Sequence, residues 1–184
     1  GLAFEHPQSG VADADEFVSD PAKPVPFIED TDPGMTVTYM TDDQKFASRR
    51  PDVLTYSTPV LDRDLTLAGP MLADLWVSTT ETDADWIVKI IDVFPDDAKD
   101  IEALGLPPGR HRSHYHMLVR SEVMRGRFRK SYEHPVPFVP GEPTNVSFEL
   151  LDIMHTFEKG HRIMVQVQST WFPLVDRNPQ KCVD

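Results

Sequence analysis

The sequence predicts an all-β protein, a two-sheet jelly-roll sandwich with an extended N-terminal arm. Three features lead there. About eight short β-branched or alternating apolar runs recur between residues 36 and 169. No segment sustains a helical period. The 17 prolines in 184 residues are roughly twice the usual share, and proline breaks helices and central strands alike. Such a chain favours short strands joined by rigid loops and long crossovers, the pattern of a sandwich.

Residues 1–35 are acidic and proline-rich. Asp13, Asp15, Glu16, Asp20, Glu29, Asp30 and Asp32 alternate with Pro21, Pro24, Pro26 and Pro33. This composition reads as an extended arm lying on another body, and residues 36–184 as the sandwich. Met35 to Met40 gives the first strand signal and Val53 to Tyr56 the second. Leu65 to Leu67 is a third, closed by Gly69-Pro70. Leu72 to Thr79 alternates, with Trp76 expected to face one layer. Trp86 to Phe94 is a continuous apolar run broken by Lys89 and Asp92, as expected of a strand between two layers. A Pro/Gly-rich loop follows at 96–110. Tyr115 to Val123 is the next strand, and Arg125-Gly-Arg-Phe-Arg its continuation or a kink. Residues 133–143, with four prolines, form a crossover. Val146 to Leu151 alternates again, and a short helix is one reading of Asp152 to Phe157.

The last third organises the rest. After the turn at Gly160, Ile163, Val165 and Val167 fall on one strand face, and Met164, Gln166 and Gln168 on the other. Trp171, Phe172, Pro173, Asp176, Arg177 and Asn178 then follow with no period. Such a loop costs entropy to order, so something must hold it. It is either a cap closed on itself, with Asp176 and Arg177 paired and the aromatics on the core, or a rim pressed against another domain or a ligand. Exposed aromatics beside arginine are typical of contact surfaces.

Composition narrows the partners. With 40% hydrophobic residues the chain is large enough to bury a core. A net charge of −12 argues against nucleic acid, which needs clustered cations. No apolar run is long enough for a membrane-spanning helix. Residues 1–30 carry no apolar signal-peptide region, and cellular location stays open. Cys182 is the single cysteine, so no internal disulfide forms. The abrupt ends suggest a piece of a longer protein.

Candidate chemistry is sparse. The Gly-x-Ser-x-Gly elbow of α/β-type serine hydrolases does not occur, and Cys182 has no histidine in its local context. His114 and His116 would share one face of a strand, while His111 has the wrong parity for a metal triad; interstrand polar side chains are the simpler reading. Glu81, Asp83 and Asp85 are spaced for calcium if extended, but aspartates in a turn more often bond their own backbone. Arg125, Arg127, Arg129 and Lys130 form a basic stripe read first as partners for the abundant carboxylates, and second as an anion or substrate site. No metal and no cofactor is expected.

Several runs together resemble one family. They are Val18-Ser-Asp-Pro-Ala-Lys-Pro-Val-Pro26, Arg50-Pro-Asp-Val-Leu-Thr-Tyr56, Asp83-Ala-Asp-Trp-Ile-Val-Lys-Ile-Ile-Asp-Val-Phe-Pro95, Arg125-Gly-Arg-Phe-Arg129, Gly160-His-Arg-Ile-Met-Val-Gln-Val-Gln168 and Phe172-Pro-Leu-Val-Asp-Arg-Asn-Pro179. The sequence is similar, over roughly residues 17–180, to the C-terminal domain of the X-Pro dipeptidyl-peptidase and cocaine-esterase class of serine hydrolases. Within that class it most resembles α-amino acid ester hydrolases and glutaryl-7-aminocephalosporanic acid acylases. The resemblance implies a galactose-binding-domain-like jelly roll that packs on an α/β-hydrolase domain of the same parent chain and helps wall its active-site entrance. The Ser-His-Asp triad would belong to that other domain, so no catalytic residue is assigned here. The chain also stops before the family's usual last strands, which would leave one sheet incomplete.

On this basis Trp171, Phe172, Asp176, Arg177 and Asn178 are the candidate domain-interface or pocket-rim residues. With the partner domain absent, that loop should be exposed or disordered. A carbohydrate-binding module, using Trp171 and Trp76, is the alternative. A homo-oligomerisation surface is a third reading.

Overall fold

The computed structural model describes residues 1–5, 14–30, 34, 37–100 and 111–182. Asp13, Asp32 and Pro33 of the predicted arm, Met35 of the first predicted strand and residues 101–110 of the Pro/Gly-rich loop lie outside the described residues. Two antiparallel sheets pack face to face. The first has four strands, β1 (Val53–Ser57), β6 (Arg162–Gln168), β3 (Asp85–Val93) and β4 (His116–Arg125), in the order β1-β6-β3-β4. The second pairs two long strands, β2 (Leu65–Val77) and β5 (Thr144–Phe157). The molecule is thus the expected all-β sandwich.

β3 explains the layering. All of its residues but Val93 are buried. Trp86, Val88 and Ile90 enter the core between the sheets, with Phe148, Leu150 and Phe157 of β5 and Ile163 and Val167 of β6. Ile87 points the other way, into a second cluster with Phe27, Ile28 and Trp171. Burial on both faces is why the sequence reads as a run rather than an alternation.

The arm forms the third layer. Val25, Phe27 and Ile28 are buried. Pro26 bridges Phe172 in parallel; Phe27 N donates to Phe172 O at 3.0 Å, and Phe172 N to Val25 O at 2.9 Å. A single-turn helix, α1 (Lys45–Ser48), places Ala47 against Val25 and Val53.

Six strands occur among the described residues rather than eight. The runs at Leu65 to Leu67 and Leu72 to Thr79 are one strand, β2. Gly69-Pro70 does not end it: between Gly69 and Met71 the register shifts, because Pro70 alone faces Leu151 and Asp152, so the bulge's extra residue lies in β5, and Gly69 takes φ +106°. The same irregularity explains the helix signal over Asp152 to Phe157, which is the second half of β5. Leu151 and Asp152 form the bulge and are both exposed, so the buried positions fall at Leu150, Ile153 and Phe157. That is helical spacing produced by a bulged strand. The described part of the predicted strand at Met35 to Met40 is a 3-10 turn, Val37–Thr41, which joins neither sheet. Its Tyr39 packs on Phe27 and Trp171 instead. The Arg125-Gly-Arg-Phe-Arg run is the kink, a 3-10 turn at Gly126–Phe128. Glycine is required there, because a Cβ on Gly126 would lie 2.4 Å from both Ala84 O and the Phe138 ring. Trp76 faces outward and is 74% exposed. Its strand neighbours Ala73, Leu75 and Val77 form the fully apolar set and take the inward face.

Candidate contact rim and the clasp behind it

The loop after β6 divides into an anchored half and a presented half. Trp171 is 3% exposed. Its ring lies 4.4 Å from Lys89 Nζ and edge-on to Tyr39 at 5.8 Å. Val175 N donates to Trp171 O at 2.8 Å, closing a turn. Asn178 is also buried. Its Nδ2 donates to Asp83 Oδ2 at 3.1 Å and to Asp85 Oδ1 at 2.7 Å, while its Oδ1 accepts Gln180 N at 2.7 Å. Asp83 N donates to Gln180 O at 3.1 Å, and Gln180 Nε2 to Ser19 O at 2.7 Å, so the loop is tied to both the sheet and the arm.

Leu174 and Val175 also pack against the cluster of Ile87 and Trp171, whereas Phe172, Asp176 and Arg177 are exposed. Phe172 is 40% exposed, and the Arg177 guanidinium sits 5.3 Å from its ring centre. Arg177 Nη1 reaches Pro21 O at 3.5 Å. The Asp176 carboxylate is exposed, 3.5 Å from Arg125 Nη2. The loop is therefore neither exposed nor disordered as a whole, which corrects the expectation for Trp171 and Asn178. Both are held within this chain, because the sheet face under them offers an apolar seat at Ile87 and two buried carboxylates needing donors. The Asp176–Arg177 pairing of the self-closed reading is absent too; each pairs elsewhere.

The acidic triplet does not open toward a cation. Glu81 is exposed, whereas Asp83 and Asp85 are buried. Asp83 accepts Ala84 N at 3.0 Å, Arg127 N at 3.1 Å and Arg127 Nη1 at 3.4 Å. Asn178 turns its amide nitrogen, a donor, to both carboxylates. Burial pushes the Asp85 carboxyl up to about 6, with the Asn178 bond and Arg125 opposing the rise.

The histidines do not share a strand face. His114 precedes β4 with φ 56° and pairs with Asp96 at 2.8 Å; His116 begins the strand, its imidazole held down at about 4 by burial. His111 Nδ1 lies 2.8 Å from Asp100. Among the described residues no group of three or more His, Cys, Asp or Glu side chains could hold a metal ion. Of the basic stripe, Arg125 and Arg127 pair with Asp176 and Asp83. Arg129 instead donates to the carbonyls of Gly126 and Val136, with its guanidinium 4.3 Å from the Phe138 ring centre.

Two polar sites escape sequence reasoning. Asp92 of β3 bonds two histidines, His155 Nε2 at 2.9 Å on the second sheet and His161 Nδ1 at 2.8 Å. Lys89 is fully buried, with Nζ 3.1 Å from Gln44 Oε1, and burial lowers its ammonium to about 7. The only signal for either was a charged residue inside an apolar run.

The architecture is that of a β-sandwich module in which Asp83, Asp85, Arg127 and Arg129 hold the chain's own loops. The chain belongs to the family of X-Pro dipeptidyl-peptidase C-terminal non-catalytic domains, whose model it matches over residues 8–183. It is 36% identical over 175 residues to the cocaine esterase of Rhodococcus sp. (strain MB1 Bresler), covering 92% of this chain and 27% of that one. Among solved structures it is similar to an α-amino acid ester hydrolase, with TM-score 0.86 and 42% identity over 98% of this chain and 29% of the other. An aminopeptidase from a marine sediment Thaumarchaeota archaeon gives TM-score 0.81 and 42% identity, over 92% and 27% of the two chains. The chain thus spans little more than a quarter of the length of these relatives, which are hydrolases by name.

Proposed function

We propose that this chain is the jelly-roll C-terminal domain of a serine hydrolase acting on small acyl esters or amides, and that it packs on the α/β-hydrolase domain of the same protein and shapes the active-site entrance. The observation that carries the reading is the divided loop. Trp171 and Asn178 fix the backbone from behind, so Phe172, Asp176 and Arg177 are presented on an already ordered backbone. Preformed aromatic–arginine surfaces are favourable contact sites. In such a protein the hydrolase domain supplies the nucleophilic serine, its histidine base and the oxyanion donors, and this domain supplies docking surface.

Residues 1–184 alone should hydrolyse no p-nitrophenyl ester. In a longer chain carrying the hydrolase domain, Phe172→Ala with Arg177→Ala should lower kcat/KM by roughly tenfold or more, a loss of more than about 1 kcal/mol typical of central interface residues. Turnover by residues 1–184, or unchanged kinetics in the double variant, would oppose the reading. The exposure of Trp76 favours a second one. With Leu72 at 68% exposure on the same strand face, it forms an open apolar surface with one indole for a carbohydrate, while buried Trp171 is not available to that reading. A glycan array without hits would remove that alternative.

A further inference from the structure

The segment that covers the outer face of the four-stranded sheet encloses a lysine with almost nothing to hold its charge. Lys89 leaves the middle of β3 on that face and is completely buried. Its Nζ makes one hydrogen bond, to Gln44 Oε1, and no ion pair among the described residues. The Trp171 ring covers it at 4.4 Å. An ammonium has three protons to place, and one amide oxygen and one ring face are a poor exchange for water.

Among the described residues, the elements around it add no compensating charge. Across the sheet its register partners are Gln166 on β6 and Ser121 on β4. From the cover, Asp42 accepts Glu29 N, and Asp43 pairs with Lys45 and accepts His116 N. Tyr39 stands against Trp171. His116 lies at the start of β4, and Arg125 at its end faces Asp176. On its own strand, Asp85 is held by Asn178 and Asp92 by two histidines on the core side. Gln44 is the keystone of the cover. Its backbone N donates to His116 O, its O accepts Gln166 Nε2, its Nε2 donates to Asp42 O, and its Oε1 takes the lysine.

We propose that Lys89 is a protonation latch: the neutral amine lets residues 25–28 and 39–44 and Trp171 close over the sheet, and protonation loosens them. The cover is stitched to the rim through Phe27 N, Phe172 N and Val25 N, which donate to Phe172 O, Val25 O and Thr170 Oγ1. Loosening it therefore changes how Phe172 and Arg177 are presented. The latch stands whether or not the rim meets a hydrolase domain, and its test reads no activity.

Hydrogen exchange on the intact chain tests it, with rates corrected for intrinsic pH dependence. If opening returns Lys89 to water, the opening constant at the Phe27, Phe172 and Gln44 amides rises about 70-fold between about pH 9 and about pH 6.5. Above that lower limit Asp85 and His116 contribute little. Lys89→Met removes the rise, and Gln44→Ala, which leaves the lysine in place, retains it. Equal opening at both pH values in the unmodified chain overturns the latch, and this comparison needs no variant. So does a rise that persists in Lys89→Met, or cover amides that open no more readily than those of β2 and β5.

Discussion

Replacing Lys89 by methionine should make the domain more stable at neutral pH, the opposite of what removing a buried side chain usually does. In the folded chain the ammonium is lowered from 10.5 to about 7 because it is wholly buried. At about 1.4 kcal/mol per unit, that difference is worth up to about 5 kcal/mol between the two protonation states. The sign follows from proton counting. Between about pH 7 and 10.5 the unfolded chain binds a proton that the folded chain does not, so stability rises with pH through that window and is lost as pH falls toward 7. Methionine keeps the length and apolar stem, removes the charge and leaves Gln44 Oε1 without its donor. Set against a penalty of about 2 kcal/mol for that orphaned oxygen, the net gain at pH 7 is roughly 2 kcal/mol. Urea denaturation of both chains from about pH 6 to about pH 10 measures it. The unmodified chain should gain stability at up to about 1.4 kcal/mol per pH unit, while Lys89→Met stays flat in the same window. A flat profile for the unmodified chain, or a loss of about 3 kcal/mol on substitution, would mean that the ammonium is well compensated and the reasoning wrong.

The acid side tests two groups against each other. Asp85, raised from 3.8 to about 6, makes stability fall as pH rises through that interval; His116, lowered from 6.5 to about 4, makes it rise over nearly the same one. The unmodified chain should show little net slope there, and Asp85→Asn should uncover the rise due to His116; a denaturation series near pH 4 to about 6.5 reads it. Asn178→Ala removes the donor shared by two buried carboxylates and should cost about 2 kcal/mol, seen as a lower urea midpoint together with faster exchange at Gln180 N.

Much of the fold was legible because alternation and burial follow the same arithmetic. Val146, Phe148 and Leu150 announce the inner face of β5, and Ile163, Val165 and Val167 that of β6. The misreadings have physical causes. Gly69-Pro70 resembles a strand terminator, and only the pairing with β5 shows that the strand runs on past it. The extra residue of the bulge, at Leu151 and Asp152 of β5, then imitates a helix by spacing Leu150, Ile153 and Phe157 helically. Trp76 is expected to face a layer from its place in an alternating strand, although the apolar set Ala73, Leu75 and Val77 marks the inner face. The loop after β6 was visible as a stiff element in need of an anchor, but its residues could not be divided into inward and outward from order alone. The division depends on Ile87, Asp83 and Asp85, nearly a hundred residues earlier in the chain. Lys89 was conspicuous in its apolar run, and its isolation was not, since that depends on what every neighbouring element fails to supply.

The contact role of the outward half of that loop is the central claim, and covalent footprinting reads it most directly. Labelling of Phe172 is compared between residues 1–184 and a longer chain that includes the hydrolase domain, with buried Trp171 as the internal reference. Phe172, 40% exposed here, should lose most of its labelling in the longer chain while Trp171 stays unlabelled in both. Equal labelling of Phe172 in the two proteins would contradict the account.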